Sequence, residues 1–211
     1  MGETTGGTGD TGDTPGDLPD LRSLTRETVR AQIAETAWSV FAERGFEDVT
    51  VNEVAEATGI SRASFFRYFS SKEEAVFVAL EAMGAEIAAA LEARPPQEAP
   101  WEALRRAFDA ATPNYASNPA RSLARLNLTR ETPSLRAHQL ERQSQWRRLI
   151  GPVLARRIGL EPEDVRVEAV VGAALAALDA ATERWALSDG KLDLTTLIDE
   201  AFAAITDLHL G

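Results

Sequence analysis

The chain has 211 residues, no cysteine and a formal net charge of −11 at neutral pH. The lack of cysteine excludes a disulfide framework and a thiolate metal site, and the length allows one large domain or two small ones. The longest uncharged apolar run, residues 169–178, is too short to cross a bilayer, and no signal-peptide pattern opens the chain. We therefore expect a cytoplasmic protein with no membrane partner.

Residues 1–20 are rich in glycine, threonine, aspartate and proline, and they hold five acids and no base. Such a segment buries too little apolar surface to offset the conformational entropy lost on ordering. We therefore predict a disordered acidic tail over residues 1–20. Its charge makes it an unsuitable partner for a polyanion.

Two helices are predicted after the tail. Apolar residues recur at three- and four-residue spacing between Thr25 and Arg44, and Gly45 ends that pattern. The second helix starts after Thr50, whose side chain can cap it, and Glu53 completes a capping box three residues later.

A glycine-containing turn joins the second helix to a third. Gly59 stands where a helix must stop and reverse, which favours a residue that tolerates positive φ, and Ser61 can cap the next helix. From there to Lys72 the chain carries Arg62 and Arg67 and no acid. Two short helices around such a turn are typical of a helix-turn-helix, and a cationic surface suits contact with phosphates.

A long fourth helix is predicted from a capping box at Ser71 and Glu74 to the Pro95–Pro96 pair. Capping and proline signals divide the remainder into five more helices, and Pro113 is expected to stop the first of them. No stretch shows sustained strand alternation, so the predicted fold class is all-α with about nine helices. The five helices are predicted from Pro100 to Ala111, from Asn118 to about Glu131, from Thr132 to about Ile158, from Glu161 to about Leu187, and from Asp193 or Thr195 onward.

The order of three helices, a long fourth and an all-helical body resembles that of the tetracycline-repressor (TetR) family. The family implies a helix-turn-helix DNA-binding domain over residues 21–72 and a helical effector-binding and dimerisation domain over residues 73–211. Part of the third helix also resembles the mycofactocin-type branch of regulators. The resemblance is carried by Ala42-Glu43-Arg44-Gly45-Phe46, Thr50, Gly59-Ile60-Ser61, Ser64-Phe65-Phe66-Arg67-Tyr68-Phe69 and Ser71-Lys72-Glu73.

This resemblance implies that the third helix enters the major groove of a duplex operator. Arginine there can make a bidentate contact to guanine, whereas phosphate contacts fix the register without recognising sequence. Relatives commonly carry tyrosine where Phe66 stands, so this residue offers only packing or contact with a sugar and a thymine methyl. The implied base-facing residues are Arg62, Ala63 and Arg67 with Ser64 close by, and the implied phosphate contacts are Thr50, Ser61, Tyr68 and Lys72.

The resemblance further implies a homodimeric repressor that binds a pseudo-palindromic operator and is released by a small-molecule effector. The interface would use the last two helices, because small residues between positions 165 and 185 let helix backbones approach closely. A tightly packed monomer core is the alternative explanation of those small residues. The alternative function is a helical small-molecule-binding or adaptor protein without sequence-specific DNA binding, in which Arg62 and Arg67 are ordinary solvated charges.

Residues 121–160 hold nine arginines and only two acids. One interpretation is a binding site for an anionic effector such as an acyl-coenzyme A, because guanidinium groups suit phosphates. The other is that these arginines are solvated or pair with the acidic residues 161–211 that follow. The second interpretation is favoured, because the opposite charges lie close together in sequence.

Other residues are weaker candidates for an effector pocket, and each of them also fits the core or the surface. The two histidines stand far apart and belong to no metal-binding motif, and no nucleophile elbow, phosphate loop or dinucleotide fingerprint is present. We therefore expect no enzyme, no metal and no cofactor. The candidate pocket residues are Trp101, Phe108, Asn127, His138 and Trp146.

Overall fold

The computed structural model describes residues 21–207, with side chains from residue 24 onward. The predicted tail at residues 1–20, and residues 208–211, lie outside the described residues. Within the described part every regular element is helical, which confirms the all-α class. The helices are α1 (Leu21–Arg44), α2 (Val51–Ala57), α3 (Arg62–Tyr68), α4 (Lys72–Phe77), α5 (Met83–Glu92), α6 (Pro100–Ala107), α7 (Thr112–Ala116), α8 (Pro119–Glu131), α9 (Pro133–Ile158), α10 (Val165–Leu187) and α11 (Leu194–Thr206).

These eleven helices correspond to the nine predicted segments, because two of the segments are interrupted. The predicted long fourth helix consists of α4, a 3₁₀ turn at Val78–Leu80, and α5. The predicted helix after Pro100 likewise continues through a 3₁₀ turn at Phe108–Ala111 into α7. Pro113 does not stop it, since proline is tolerated in the first turn of α7, where its missing N–H is not needed.

The capping signals around the helix-turn-helix are confirmed. Thr50 Oγ1 accepts a hydrogen bond from the Glu53 amide at 3.3 Å, and Glu53 Oε2 accepts one from the Thr50 amide at 2.8 Å. Ser61 Oγ accepts from the Ser64 amide at 3.0 Å. The box predicted at Ser71 is only half formed, because the Glu74 carboxylate accepts from the amide of the preceding serine instead.

The start predicted at Glu161 is wrong by a few residues. Helix α10 begins at Val165, and the side chain of Asp164 caps it by accepting from the Arg166 amide at 2.9 Å. The Glu161 carbonyl accepts from the Asp164 amide at 3.1 Å, so the proline between them belongs to a turn. The start predicted at Thr132 is confirmed by α9, although the threonine side chain makes no capping hydrogen bond.

One continuous core runs from the first three helices into the body. In the first three helices Phe41 and Phe65 are fully buried, and in the body α5 lies directly against α9. This approach requires Gly84, because a Cβ placed there would lie 2.3 Å from Cδ1 of the buried Trp146. Helices α10 and α11 pack along each other at the far end of the chain.

Candidate nucleic-acid interface

Helix α3 presents a cationic and apolar surface to solvent. Arg62, Ala63, Phe66 and Arg67 are exposed, with 43% of Phe66 accessible, whereas Phe65 between them is fully buried. The helix therefore divides cleanly into a packed side and a free side. The free side holds the residues that the resemblance assigns to base edges. It also holds Phe66, where relatives commonly carry tyrosine.

The exposed arginines of α3 lie beside aromatic rings and not beside acids. The Arg62 guanidinium carbon is 5.6 Å from the centroid of the Phe66 ring, and that of Arg67 is 5.6 Å from the Tyr68 ring. Among residues 21–207 neither arginine has a carboxylate within ion-pair distance. Their donor groups are consequently available to phosphate or base oxygens.

Arginines of α1 hold the C-terminal end of α3. Arg26 Nη2 donates to the Arg67 carbonyl at 3.2 Å, and Arg30 Nε donates to the Tyr68 carbonyl at 3.0 Å. These bonds satisfy carbonyls that a helix end leaves without a partner. Arg30 also forms ion pairs with Glu74 and Glu81, so one side chain connects α1, α3 and the start of the fourth segment.

Several of the implied phosphate contacts already bind protein groups. Lys72 Nζ donates to the carbonyls of Phe46 and Val49, at 2.8 and 3.2 Å, which fixes the loop after α1. The hydroxyls of Thr50 and Ser61 serve as helix caps. Contact of these residues with phosphate stays a prediction, and for Lys72 it would use the remaining N–H of the ammonium group.

A cleft of about 290 Å³ opens in the body between α8, α9 and α10. It adjoins an inner cavity of about 10 Å³, which is close to the size of one water molecule. Asp179 lies where the two meet, and its carboxylate accepts hydrogen bonds from the side-chain amides of Gln139, at 3.2 Å, and Gln143. Burial raises the pKa of Asp179, although these hydrogen bonds oppose the rise.

Two arginines line the inner cavity, Arg125 and Arg142, with 3% and 8% of their surface exposed. Neither forms an ion pair with any described residue, and Arg125 Nη2 and Arg142 Nε and Nη1 lack hydrogen-bond partners there. Desolvation lowers the pKa of both, that of Arg142 to about 10.

Aromatic rings lie close to both guanidinium groups. The Arg142 guanidinium carbon lies 4.2 Å from the Phe77 centroid and 5.1 Å from that of Trp146, and Arg125 lies 5.9 Å from Tyr115. Such contacts contribute about 0.5–2 kcal/mol each. An unsatisfied buried donor costs about 1–3 kcal/mol, and three donor nitrogens of these two arginines have no hydrogen-bond partner among the described residues.

The candidate pocket residues are not brought together. Trp101 donates from Nε1 to the Phe202 carbonyl at 3.3 Å, and Phe108 is fully buried against the same phenylalanine, so both belong to the core between α6 and α11. His138 stacks on a ring of α4 near the surface. Asn127 lines neither the cleft nor the inner cavity. Of the five candidates only Trp146 lines the inner cavity.

The favoured interpretation, that these arginines are solvated or pair with the acidic segment that follows, is only partly right. Most of them are exposed to solvent, but none forms an ion pair with an acid of residues 161–207. Arg121 pairs with Glu35 of α1, and Arg156 with Glu92 of α5. Sequence proximity misled here, because antiparallel helices bring distant segments side by side. The site residues that sequence analysis missed are Gln139, Gln143 and Asp179, and the two buried arginines were not separated from the other seven.

Other kinds of site find no support in the described part of the chain. No helix between residues 21 and 207 has the length and apolarity needed to span a membrane. The same residues contain no cluster of three histidine, aspartate or glutamate side chains placed to hold a metal ion.

The fold and the free cationic side of α3 define the class of helix-turn-helix DNA-binding proteins. Residues 33–78 match the family model described as bacterial regulatory proteins, tetR family, and residues 98–209 match the MftR C-terminal domain. The chain belongs to the TetR family, and it is a DNA-binding transcriptional regulator and not an enzyme. The match of residues 98–209 agrees with the resemblance of the third helix to the mycofactocin-type branch.

Individual relatives agree with this assignment. The chain is 30% identical over 180 residues to the putative mycofactocin biosynthesis transcriptional regulator MftR of Mycobacterium tuberculosis, covering 85% of this chain and 90% of that protein. It is 32% identical over 152 residues to the regulator TcmR of Streptomyces glaucescens, covering 69% and 67%. The crystal structure of the Thermus thermophilus TetR-family repressor FadR with lauroyl-CoA shares the fold, with a TM-score of 0.55 at 22% identity over 86% of this chain and 95% of that one.

Proposed function

We propose that the protein is a repressor that binds a pseudo-palindromic operator as a homodimer and is released when a small-molecule effector enters the cleft of the body. The observation that carries this proposal is the free cationic side of α3, which no acidic side chain among residues 21–207 neutralises. Residues 21–72 would form the DNA-binding domain and residues 73–211 the effector-binding and dimerisation domain. The protein would act in the cytoplasm, where its DNA lies.

The DNA contacts would divide into two groups. Arg62 and Arg67, with Ala63 and Ser64, would face base edges in the major groove, and Phe66 would contact a sugar or a thymine methyl. The remaining side chains would bind phosphates and fix the register of α3 on the duplex. These are Thr50, Ser61, Tyr68 and Lys72.

The dimer would form through the outward sides of α10 and α11. Small residues leave that side of α10 smooth, and α11 adds an apolar row beside it, so a second copy could pack against both as a four-helix bundle. The accessible or half-accessible residues of this surface are Ala169, Gly172, Ala173, Ala176 and Ala180 on α10, and Ala201, Ala204 and Ile205 on α11.

The effector would bind in the cleft between α8, α9 and α10. Its volume of about 290 Å³ lies near the lower end of the range for small-molecule sites, and its lining combines apolar surface with charged, amide and hydroxyl side chains. FadR binds lauroyl-CoA, which supports an acyl-coenzyme A as one candidate. The effector would act by stabilising a conformation of the dimer with the wrong spacing between its two α3 helices.

Arg67→Ala is expected to weaken operator binding by roughly 1–3 kcal/mol, or about 5- to 150-fold in Kd, and to relax preference at one base pair. Fluorescence anisotropy on DNA from the promoter region of its own or a neighbouring gene, over a salt series, measures this. Arg106→Ala is the matched control, because Arg106 is an exposed arginine on α6 that pairs with Glu102. Equal losses in both variants, or no salt-dependent binding by the wild type, would contradict the proposal.

Ala176→Arg is expected to convert the dimer to a monomer at micromolar concentration, because a long charged side chain cannot be accommodated where two helices approach closely. Sedimentation analysis of the wild type and the variant measures this directly. Ala124→Arg, on the exposed side of α8, should leave the dimer intact. A wild type that sediments as a monomer would contradict this part of the proposal.

A further inference from the structure

The two buried arginines of the inner cavity have no ion-pair partner among the side chains of residues 24–207. Arg125 and Arg142 lie on different helices, α8 and α9, and both line the same cavity. Three of their nitrogen atoms lack hydrogen-bond partners among the described residues. Burying a guanidinium without a carboxylate or a full set of hydrogen bonds is energetically unfavourable. Two such groups in one cavity therefore indicate a site for a bound anion.

The acid in the lining of this cavity does not fulfil that role. Asp179 also lines the cavity, but its carboxylate is bound by the amides of Gln139 and Gln143. No oxygen of Asp179 comes within ion-pair distance of either arginine. Even if its charge is counted in full, two guanidinium groups and one carboxylate leave the cavity positive.

The free donors select a particular chemistry. The donors without a partner are Arg125 Nη2 and Arg142 Nε and Nη1. The two oxygens of a carboxylate accept hydrogen bonds from guanidinium groups, and these charge-assisted bonds are stronger than those between neutral groups. The cleft of about 290 Å³ shares Leu126, Thr129 and Asp179 with the inner cavity, so a ligand in the cleft can direct one end at the arginines.

We propose that the effector of this regulator is an organic acid whose carboxylate binds between Arg125 and Arg142 while its apolar part fills the cleft. This inference rests on the proposed function as a ligand-responsive regulator and specifies the ligand class. The inner cavity, at about 10 Å³, has to widen to admit a carboxylate, so the guanidinium of Arg142 turns toward the ligand as it binds.

That movement connects the ligand to the DNA-binding helices. The guanidinium carbon of Arg142 lies 4.2 Å from the ring centroid of Phe77, the last residue of α4. His138 stacks on the same ring, with centroids 5.4 Å apart. A carboxylate that draws Arg142 away from Phe77 changes the packing at the end of α4, immediately before the 3₁₀ turn. The ligand therefore binds with different affinity to two conformations of the protein, which differ in how α4 is packed. Such a difference in affinity is the condition for a conformational response.

Decanoate, decanol and decanoyl-coenzyme A test the inference, because they share a ten-carbon tail and only the first carries a carboxylate. Decanoate should raise the melting temperature of the wild type and release it from operator DNA, and decanol should do neither. Arg142→Met should bind decanoate at least about tenfold more weakly, since charge-assisted hydrogen bonds are lost. Arg148→Met, on the exposed side of the same helix, should bind decanoate as the wild type does.

Three outcomes overturn the inference: equal responses to decanoate and decanol, equal decanoate affinity in Arg142→Met and the wild type, or dependence on Arg142 for decanoyl-coenzyme A but not for decanoate. Arg125→Met supplies the same comparison if Arg142→Met does not fold by circular dichroism. Operator binding without ligand is measured on the same samples. If the ligand-free protein does not bind the operator, the proposed function is contradicted. If it binds the operator normally but does not respond to the carboxylate, only this inference is contradicted.

Discussion

Gly84→Ala is expected to lower the free energy of unfolding by about 1–3 kcal/mol, although alanine is the better helix former by about 1 kcal/mol. The added Cβ would lie 2.3 Å from Cδ1 and 2.8 Å from Cγ of Trp146. These atoms belong to the body of a buried ring and not to a flexible chain end, so α5 and α9 must separate. Urea unfolding monitored by circular dichroism gives the difference.

Gly151→Ala is the matched control for this experiment. Gly151 is also a buried glycine inside a helix, but a Cβ there would meet Val167 Cγ1 at 3.8 Å, an ordinary van der Waals contact. We expect that variant to gain about 0.5–1 kcal/mol from helix propensity alone. If both alanines stabilise the protein equally, the close approach of α5 to Trp146 is wrong.

Phe65→Ala is expected to cost about 3–5 kcal/mol and to abolish operator binding. Phe65 is fully buried on the packed side of α3, with its ring centroid 5.0 Å from that of Phe69. Removing its ring leaves a cavity between α3 and the core, and a helix of seven residues is not stable without that packing. Thermal unfolding should show loss of the first three helices before the body, and anisotropy should show no specific binding.

The neighbouring phenylalanine provides the contrast. Phe66 is 43% exposed, so Phe66→Ala should change the melting temperature little while still weakening DNA binding through lost contact with sugar or methyl groups. We expect Phe65→Ala to lower the stability of the protein and Phe66→Ala to lower only its affinity for DNA. That pair of results would show that Phe65 lies on the packed side of α3 and Phe66 on its free side. Equal destabilisation by the two substitutions would contradict the orientation of the helix.

Local signals explain why the helix-turn-helix was predictable. A cap needs only a side chain and an amide three residues away, so Thr50 and Ser61 revealed α2 and α3 without knowledge of the tertiary structure. The exposure of the arginines of α3 was predictable as well, because the apolar residues of this short helix occupy its other side. The break between α4 and α5 was not predictable, because Val78–Leu80 are ordinary residues in a helical pattern and only packing tightens their turn.

The proposed effector site could not be predicted from the sequence, for a different reason. Nine arginines lie within residues 121–160, and nothing in the local sequence distinguishes the buried Arg125 and Arg142 from the other seven. Their burial arises from the packing of α8 and α9 with α4, which periodicity does not specify. Trp101 and Phe108 were candidates because aromatic residues line many pockets, but their rings pack on Phe202 in the core.

The bonds that Arg26 and Arg30 make to α3 end on main-chain oxygens. Every amino acid has the same backbone carbonyl. The hydrogen bonds that connect α1 to α3 therefore do not depend on the side chains on the free side of α3. Substitutions at positions 62, 63, 66 and 67 can therefore change which operator is bound while the mechanical link to the body persists. Operator preference and effector response are separable traits in this architecture, and each can evolve or be engineered while the other is kept.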